Sequence, residues 1–136
     1  MTPEAQRIAI AEACGWKRWK SKSGKIYLRR VSESQGDYYR DCGDGVTTDE
    51  ITQSLTGVPD YLNDLNAMHE AEKGLTNAQR RFYSEMLIAV HPLNYDPAQP
   101  GNDDRYMRLF MIASMTAAQR AKAFLKTIGK WITPST

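Results

Sequence analysis

The stretch Trp16-Lys-Arg-Trp-Lys-Ser-Lys-Ser-Gly-Lys-Ile-Tyr-Leu-Arg-Arg-Val31 decides the fold class. It is rich in aromatic and β-branched residues, and Ser21-Lys-Ser-Gly-Lys25 breaks it near its middle. Such a pattern predicts two strands around a turn. In the second strand Ile26 and Leu28 alternate with Tyr27, Arg29 and Val31, so the two sets belong to opposite faces. Tyr38-Tyr-Arg-Asp-Cys42 reads as a third strand, ended by Gly43-Asp-Gly45.

The residues on either side follow a helical period. Thr2-Pro3-Glu4 combines an N-cap, a proline suited to the first helical position and an acid suited to the positive helix end. Ile8 and Ala11 supply the apolar stripe, and Gly15 stops the helix. Thr47-x-x-Glu50, Thr76-x-x-Gln79 and Thr116-x-x-Gln119 are capping boxes, each opening a helix. The second of these helices runs to about His91, where Pro92 forbids continuation. A further helix is expected from Pro59 to Gly74, burying Leu62, Leu65, Met68 and Leu75. The last helix turns Ala121, Phe124, Leu125 and Ile128 inward and leaves Arg120, Lys122 and Lys126 off that face. Residues 92–104 read as a long loop. Arg105-Tyr-Met-Arg-Leu-Phe-Met-Ile-Ala-Ser114 is short and apolar almost throughout, and is read as a buried strand.

One domain spanning residues 1–136 follows from the length. No apolar run approaches the ~20 residues that cross a bilayer, so no membrane partner is expected, and a cytoplasmic location is. Cys14 and Cys42 lie far apart and make no CxxC pair, and both are expected to be free thiols. No cofactor is implied.

Charge is distributed in blocks. Residues 15–31 hold seven Lys or Arg and no acid, whereas residues 32–75 hold ten acids against Arg40 and Lys73. The basic hairpin is accordingly the candidate binding site. Trp19, Lys22, Lys25, Tyr27, Arg29 and Arg30 combine cations that attract phosphate with rings that can stack on a base. A solvated amphipathic hairpin would carry the same residues, since lysines also protect strand edges.

His69 and Glu72, three apart on the central helix, have the spacing of a base or metal pair. His91 is the only other histidine, so a metal-dependent enzyme built around His69 is the weaker reading. Asp60 and Asp64 lack the oxygen-rich loop of a calcium site. No GxSxG, HExxH, P-loop or dinucleotide fingerprint occurs.

Three stretches, Gly57-Val-Pro-Asp-Tyr-Leu-Asn-Asp-Leu-Asn-Ala-Met-His-Glu-Ala-Glu-Lys-Gly-Leu-Thr76, Met107-Arg-Leu-Phe-Met-Ile-Ala-Ser-Met-Thr-Ala-Ala-Gln-Arg-Ala-Lys-Ala-Phe-Leu125 and Leu125-Lys-Thr-Ile-Gly-Lys-Trp131, resemble the phage ABA sandwich domain family of bacteriophage and prophage proteins. Ala11-Glu-Ala-Cys-Gly-Trp-Lys-Arg-Trp-Lys20 and Ile26-Tyr-Leu-Arg-Arg30 share the likeness. The resemblance implies an α+β fold with helices packed on both faces of a small antiparallel sheet. It implies no activity, and it points to an accessory protein in the host bacterium. The partners then expected are a host or defence-system protein, or a small anionic nucleotide ligand sequestered without turnover. A nucleic acid is the alternative, and the chain is compatible with a homo-oligomer.

Overall fold

The computed structural model describes residues 1–21, 26–30, 39–41, 55, 57–93 and 104–133, with residues 20, 21, 26, 29, 30, 39–41 and 104 described through their backbone alone. The elements are α1 (Pro3–Ala13), β1 (Trp16–Ser21), β2 (Ile26–Arg30), β3 (Tyr39–Asp41), α2 (Leu65–Glu72), α3 (Asn77–Val90), α4 (Asp104–Ala113) and α5 (Ala117–Thr127). The fold is mixed α+β and rich in helix. The helix expected from Thr47 lies outside the described residues.

The strands form an antiparallel sheet of order β2-β1-β3, with β1 central. The hairpin expected from the alternating stretch is present, in the register Trp16↔Arg30, Arg18↔Leu28 and Trp19↔Tyr27. The chain passes from α1 into β1 through Gly15, whose φ of +94° suits a residue without a Cβ.

The caps form as the sequence predicts. The Thr2 hydroxyl accepts from the Ala5 N–H. Thr76–Gln79 and Thr116–Gln119 each make both bonds of the capping box. At the far end of α5, Gly129 N–H donates to the Lys126 carbonyl and Lys130 N–H to that of Leu125. Together with the positive φ of Gly129, these bonds make a Schellman motif.

Helix α5 organises the core. Ala117, Ala121, Ala123, Phe124 and Leu125 are buried along it, and it packs against α1, α2 and α3. The alanines let those helices approach closely, and Ile8, Ile10, Met68 and Leu125 are almost wholly removed from solvent. Leu28 joins this core from the sheet, and Trp16 packs at its margin.

Two expectations are corrected. Residues 105–114 form helix α4, not a buried strand. Its two charges, Arg105 and Arg108, stand three apart as on one helix face, but so short and largely apolar a run does not settle the state by itself. Packing does: Met111 enters the interior, as does Met115 beyond the helix end, while Arg108 Nη1 meets Glu85 Oε1 of α3 at 3.1 Å.

The central helix also begins later than Pro59. Asp64, in extended conformation, caps α2 by accepting from the N–H groups of Asn66 and Ala67. The preceding residues form a turn in which Asp64 N–H donates to the Asp60 carbonyl. The buried set becomes Tyr61, Met68, Ala71 and Leu75. Leu62 is only partly buried, and Leu65, expected inside, is 41% exposed.

Among the described residues no helix is long and apolar enough to cross a membrane.

Candidate functional site

The β1–β2 ladder sorts the hairpin residues onto two faces. Arg18 lies opposite Leu28. Leu28 is buried, and the Arg18 guanidinium donates to Glu12 Oε1 of α1 at 3.1 and 2.7 Å. That face is turned to the helices. Residues of the other parity are Lys17 and Trp19 in β1, paired with Arg29 and Tyr27. Asp41 of β3 stands opposite Trp19 on the far side of β1.

Of the six residues predicted as a site, Trp19, Tyr27 and Arg29 therefore share one parity. Arg30, opposite Trp16, belongs to the other. Lys22 and Lys25 lie outside the described residues. Lys17, which the sequence reading left out, completes the set, and its signal was the period of two that linked Trp19 to it.

Lys17 is exposed, whereas Trp19 and Tyr27 are half-buried. The Trp19 indole Nε1 is buried with no acceptor among the described residues. Such a donor costs about 1–3 kcal/mol until something accepts from it. A separate groove of ≈ 660 Å³ lies between α1 and the segment after α5, lined in part by Ile8, Glu12, Arg18, Ile128 and Lys130. It includes neither Trp19 nor Tyr27.

The polar stripe of the central helix has a structural use. Glu72 Oε1 accepts from Tyr83 Oη at 2.6 Å and from Arg120 Nη1 at 3.1 Å. Glu72 Oε2 lies 3.1 Å from His69 Nδ1. Arg120 Nη2 donates to the Ile112 carbonyl at 2.7 Å. One carboxylate thus joins α2, α3 and α5, and the arginine extends the link to α4. With both oxygens engaged, Glu72 is not an open base. Arg120 is 8% exposed, which corrects its placement off the inner face. Ala117, Arg120, Ala121 and Phe124 follow the spacing i, i+3, i+4, i+7, so the position was legible as inward although the residue type argued against it.

The two histidines serve different partners. His91 Nδ1 accepts from the Leu93 N–H, so in neutral imidazole the proton sits on Nε2 and is donated to Ser114 Oγ at 3.1 Å. Ser114 in turn donates to the Met111 carbonyl. Asp64 is occupied as a helix cap, and Asp60 accepts from Asn63. Among the described residues no three His, Cys, Asp or Glu side chains are grouped to hold a metal ion. Cys14 forms no disulfide among the described residues, and Cys42 lies outside them.

Burial pushes the Tyr83 hydroxyl well above its ordinary range, the bond to Glu72 and that carboxylate's charge add to the effect, and Arg120 opposes it. In the folded state Tyr83 therefore keeps its proton at pH values where the unfolded chain has lost it. Stability from this group is complete below the ordinary tyrosine value of about 10 and falls as pH rises beyond it. The fall is expected to reach about 1.4 kcal/mol per pH unit for the one proton. Urea unfolding between pH 9 and 11 should show a steeper loss in the wild type than in Tyr83→Phe; equal slopes would contradict the burial of this hydroxyl.

The arrangement defines a helix-rich α+β domain whose candidate surface is a paired aromatic and cationic sheet face. Comparison with protein-family models, with curated proteins and with solved structures finds no match for this chain.

Proposed function

We propose that this chain is a binding protein that takes up a small anionic ligand of nucleotide type on the β1–β2 hairpin and releases it unchanged. The observation that carries the reading is the pair of neighbouring same-face rungs, Trp19↔Tyr27 and Lys17↔Arg29. Two cations beside two rings suit a phosphate attached to a base: charge draws in the phosphate, and stacking contributes about 1–3 kcal/mol per base. Asp41 occupies the rung on the other side of Trp19. An acid there interrupts the basic strip along the sheet, which favours a compact anion over a long nucleic-acid strand. The engagement of Glu72, His69 and His91 with neighbouring groups supports binding over turnover.

The resemblance to the phage ABA sandwich family supplies the biological setting of the proposal. The protein is then an accessory factor of a phage or prophage, acting in the host cytoplasm in counter-defence or host takeover. Sequestering a nucleotide would deprive a host system of its ligand. The same likeness extends the architecture to helices on both faces of the sheet.

The test is titration with nucleotides, cyclic nucleotides and short oligonucleotides at two salt concentrations, followed by tryptophan fluorescence. Saturable nucleotide binding is expected, weaker at high salt and weakened about tenfold or more in Lys17→Glu/Arg29→Glu. Chromatography should return the nucleotide intact. Absence of saturable binding at millimolar nucleotide, or recovery of a product, overturns the proposal. So does a charge reversal that leaves nucleotide affinity unchanged while abolishing capture of a host protein.

A further inference from the structure

Ala5, Ala9 and Ala13 recur every four residues along α1 and so lie in one row. They floor the groove of ≈ 660 Å³, whose opposite wall is Ile128, Lys130 and Ile132. That wall is held in place by its own bonds. The Lys130 and Trp131 N–H groups both donate to the Leu125 carbonyl, at 2.8 and 3.1 Å. Lys122 Nζ stands 5.2 Å from the centre of the Trp131 ring, a cation–π contact. Small floor residues and a fixed wall leave a preformed cleft, within the range of small-molecule sites at about 300–1,000 Å³.

The two ends of the cleft differ. At one, the Met1 amino group donates to the Ile132 carbonyl at 3.4 Å. The side chains there are Met1, Ala5 and Ile132, and Thr2 spends its hydroxyl on the helix cap. At the other end lie Glu12, Arg18 and Lys130. Arg18 neutralises Glu12 at 2.7 Å. The Lys130 ammonium makes no ion pair among the described residues. A second groove, of ≈ 600 Å³, shares Ala13, Ile128 and Lys130 with the first, which places Lys130 beside the Ala13 end.

We propose that this cleft binds a medium-chain aliphatic carboxylate, with its tail toward Met1 and Ile132 and its carboxylate at Lys130. Charge complementarity selects the head. Two cations against one acid leave a single positive charge at that end, which suits a monoanion. The walls select the tail, because alanine and isoleucine side chains offer no hydrogen bond to replace those a polar ligand gives up in water. Ile132 is 68% exposed, and a tail lying against it removes apolar surface from solvent. The floor sets the length. From Ala5 to Ala13 the helix rises about 12 Å, the reach of a medium acyl chain. Trp19 and Tyr27 line no part of the cleft, so nucleotide binding at the hairpin neither requires this site nor excludes it.

Calorimetric titration with decanoate, octanoate and octylamine, each below micelle formation, tests it. Decanoate should bind one per chain with a sub-millimolar Kd, and octanoate about tenfold more weakly, as two buried methylenes are lost. Octylamine, with the octanoate tail and the opposite charge, should not bind. Lys130→Glu should weaken decanoate binding by about tenfold or more. Ile132→Glu should do the same by placing an acid beside the tail. Both positions are exposed, and circular dichroism should be unchanged in each. Lys126→Glu, exposed on α5 and outside the cleft, should bind decanoate as the wild type does. Absence of saturable binding at millimolar decanoate overturns the proposal. So does equal affinity for octanoate and decanoate, octylamine binding as tight as that of octanoate, or a loss in Lys126→Glu that matches the loss in Lys130→Glu.

Discussion

Glu72→Ala should destabilise the fold by about 3–5 kcal/mol, measured as the fall in urea unfolding free energy at neutral pH. The magnitude rests on what the substitution leaves behind. The Arg120 side chain is 9% exposed and that of Glu72 17%, so the guanidinium would remain inside the protein with its counter-charge gone. The Tyr83 hydroxyl would lose its acceptor as well. Arg120 already has a buried Nε without a partner among the described residues, so the site has little capacity to absorb a second loss. Glu72→Gln keeps an acceptor oxygen for Tyr83 but not the charge, and should fall between wild type and alanine. An apolar replacement of both partners, Glu72→Leu with Arg120→Met, should recover much of the loss, since it buries neither charge. A cost below about 1 kcal/mol for Glu72→Ala would mean that solvent already screens the pair. That result would remove the carboxylate from its role in joining α2, α3 and α5.

Phe124→Ala should cost about 3–5 kcal/mol, whereas Leu65→Ala should cost less than about 1 kcal/mol. Phe124 is 3% exposed and meets the Tyr83 ring edge-on, with centroids 6.5 Å apart and planes at 81°. Its removal opens a cavity where α3 and α5 pack and forfeits that ring contact. Leu65 begins α2 with its side chain 41% exposed, so truncation removes little buried surface. The two variants together test the phase of the central helix. Equal and large losses would restore the sequence reading, in which Leu62, Leu65 and Met68 share the inner face.

The sequence by itself determined those features that depend on neighbouring residues. The hydroxyls of Thr2, Thr76 and Thr116 reach backbone N–H groups within the same turn, so each cap was visible as a short motif. Gly15 and Gly129 mark helix ends because only a residue without a Cβ takes a positive φ freely. The alternation of Tyr27 and Arg29 against Ile26 and Leu28 is a local consequence of the pleat, and it places Arg29, not Arg30, on the face of Trp19.

Tertiary structure decided the rest. Residues 105–114 are mostly apolar, with Arg105 and Arg108 three apart as the one local sign of helix, and the packing of Met111 and the pairing of Arg108 with Glu85 decide for it. Asp64 could have lain inside a helix begun at Pro59; instead its carboxylate took the cap, and the inner face of α2 keeps Met68, as expected, but takes Ala71 in place of Leu65. Arg120 is the clearest case. A charged residue on an apolar stripe is expected to turn outward, and burying its guanidinium is favourable only where a carboxylate and a carbonyl stand within reach. Those groups belong to Glu72 and Ile112, on other helices, and chain order does not reveal that folding brings them together.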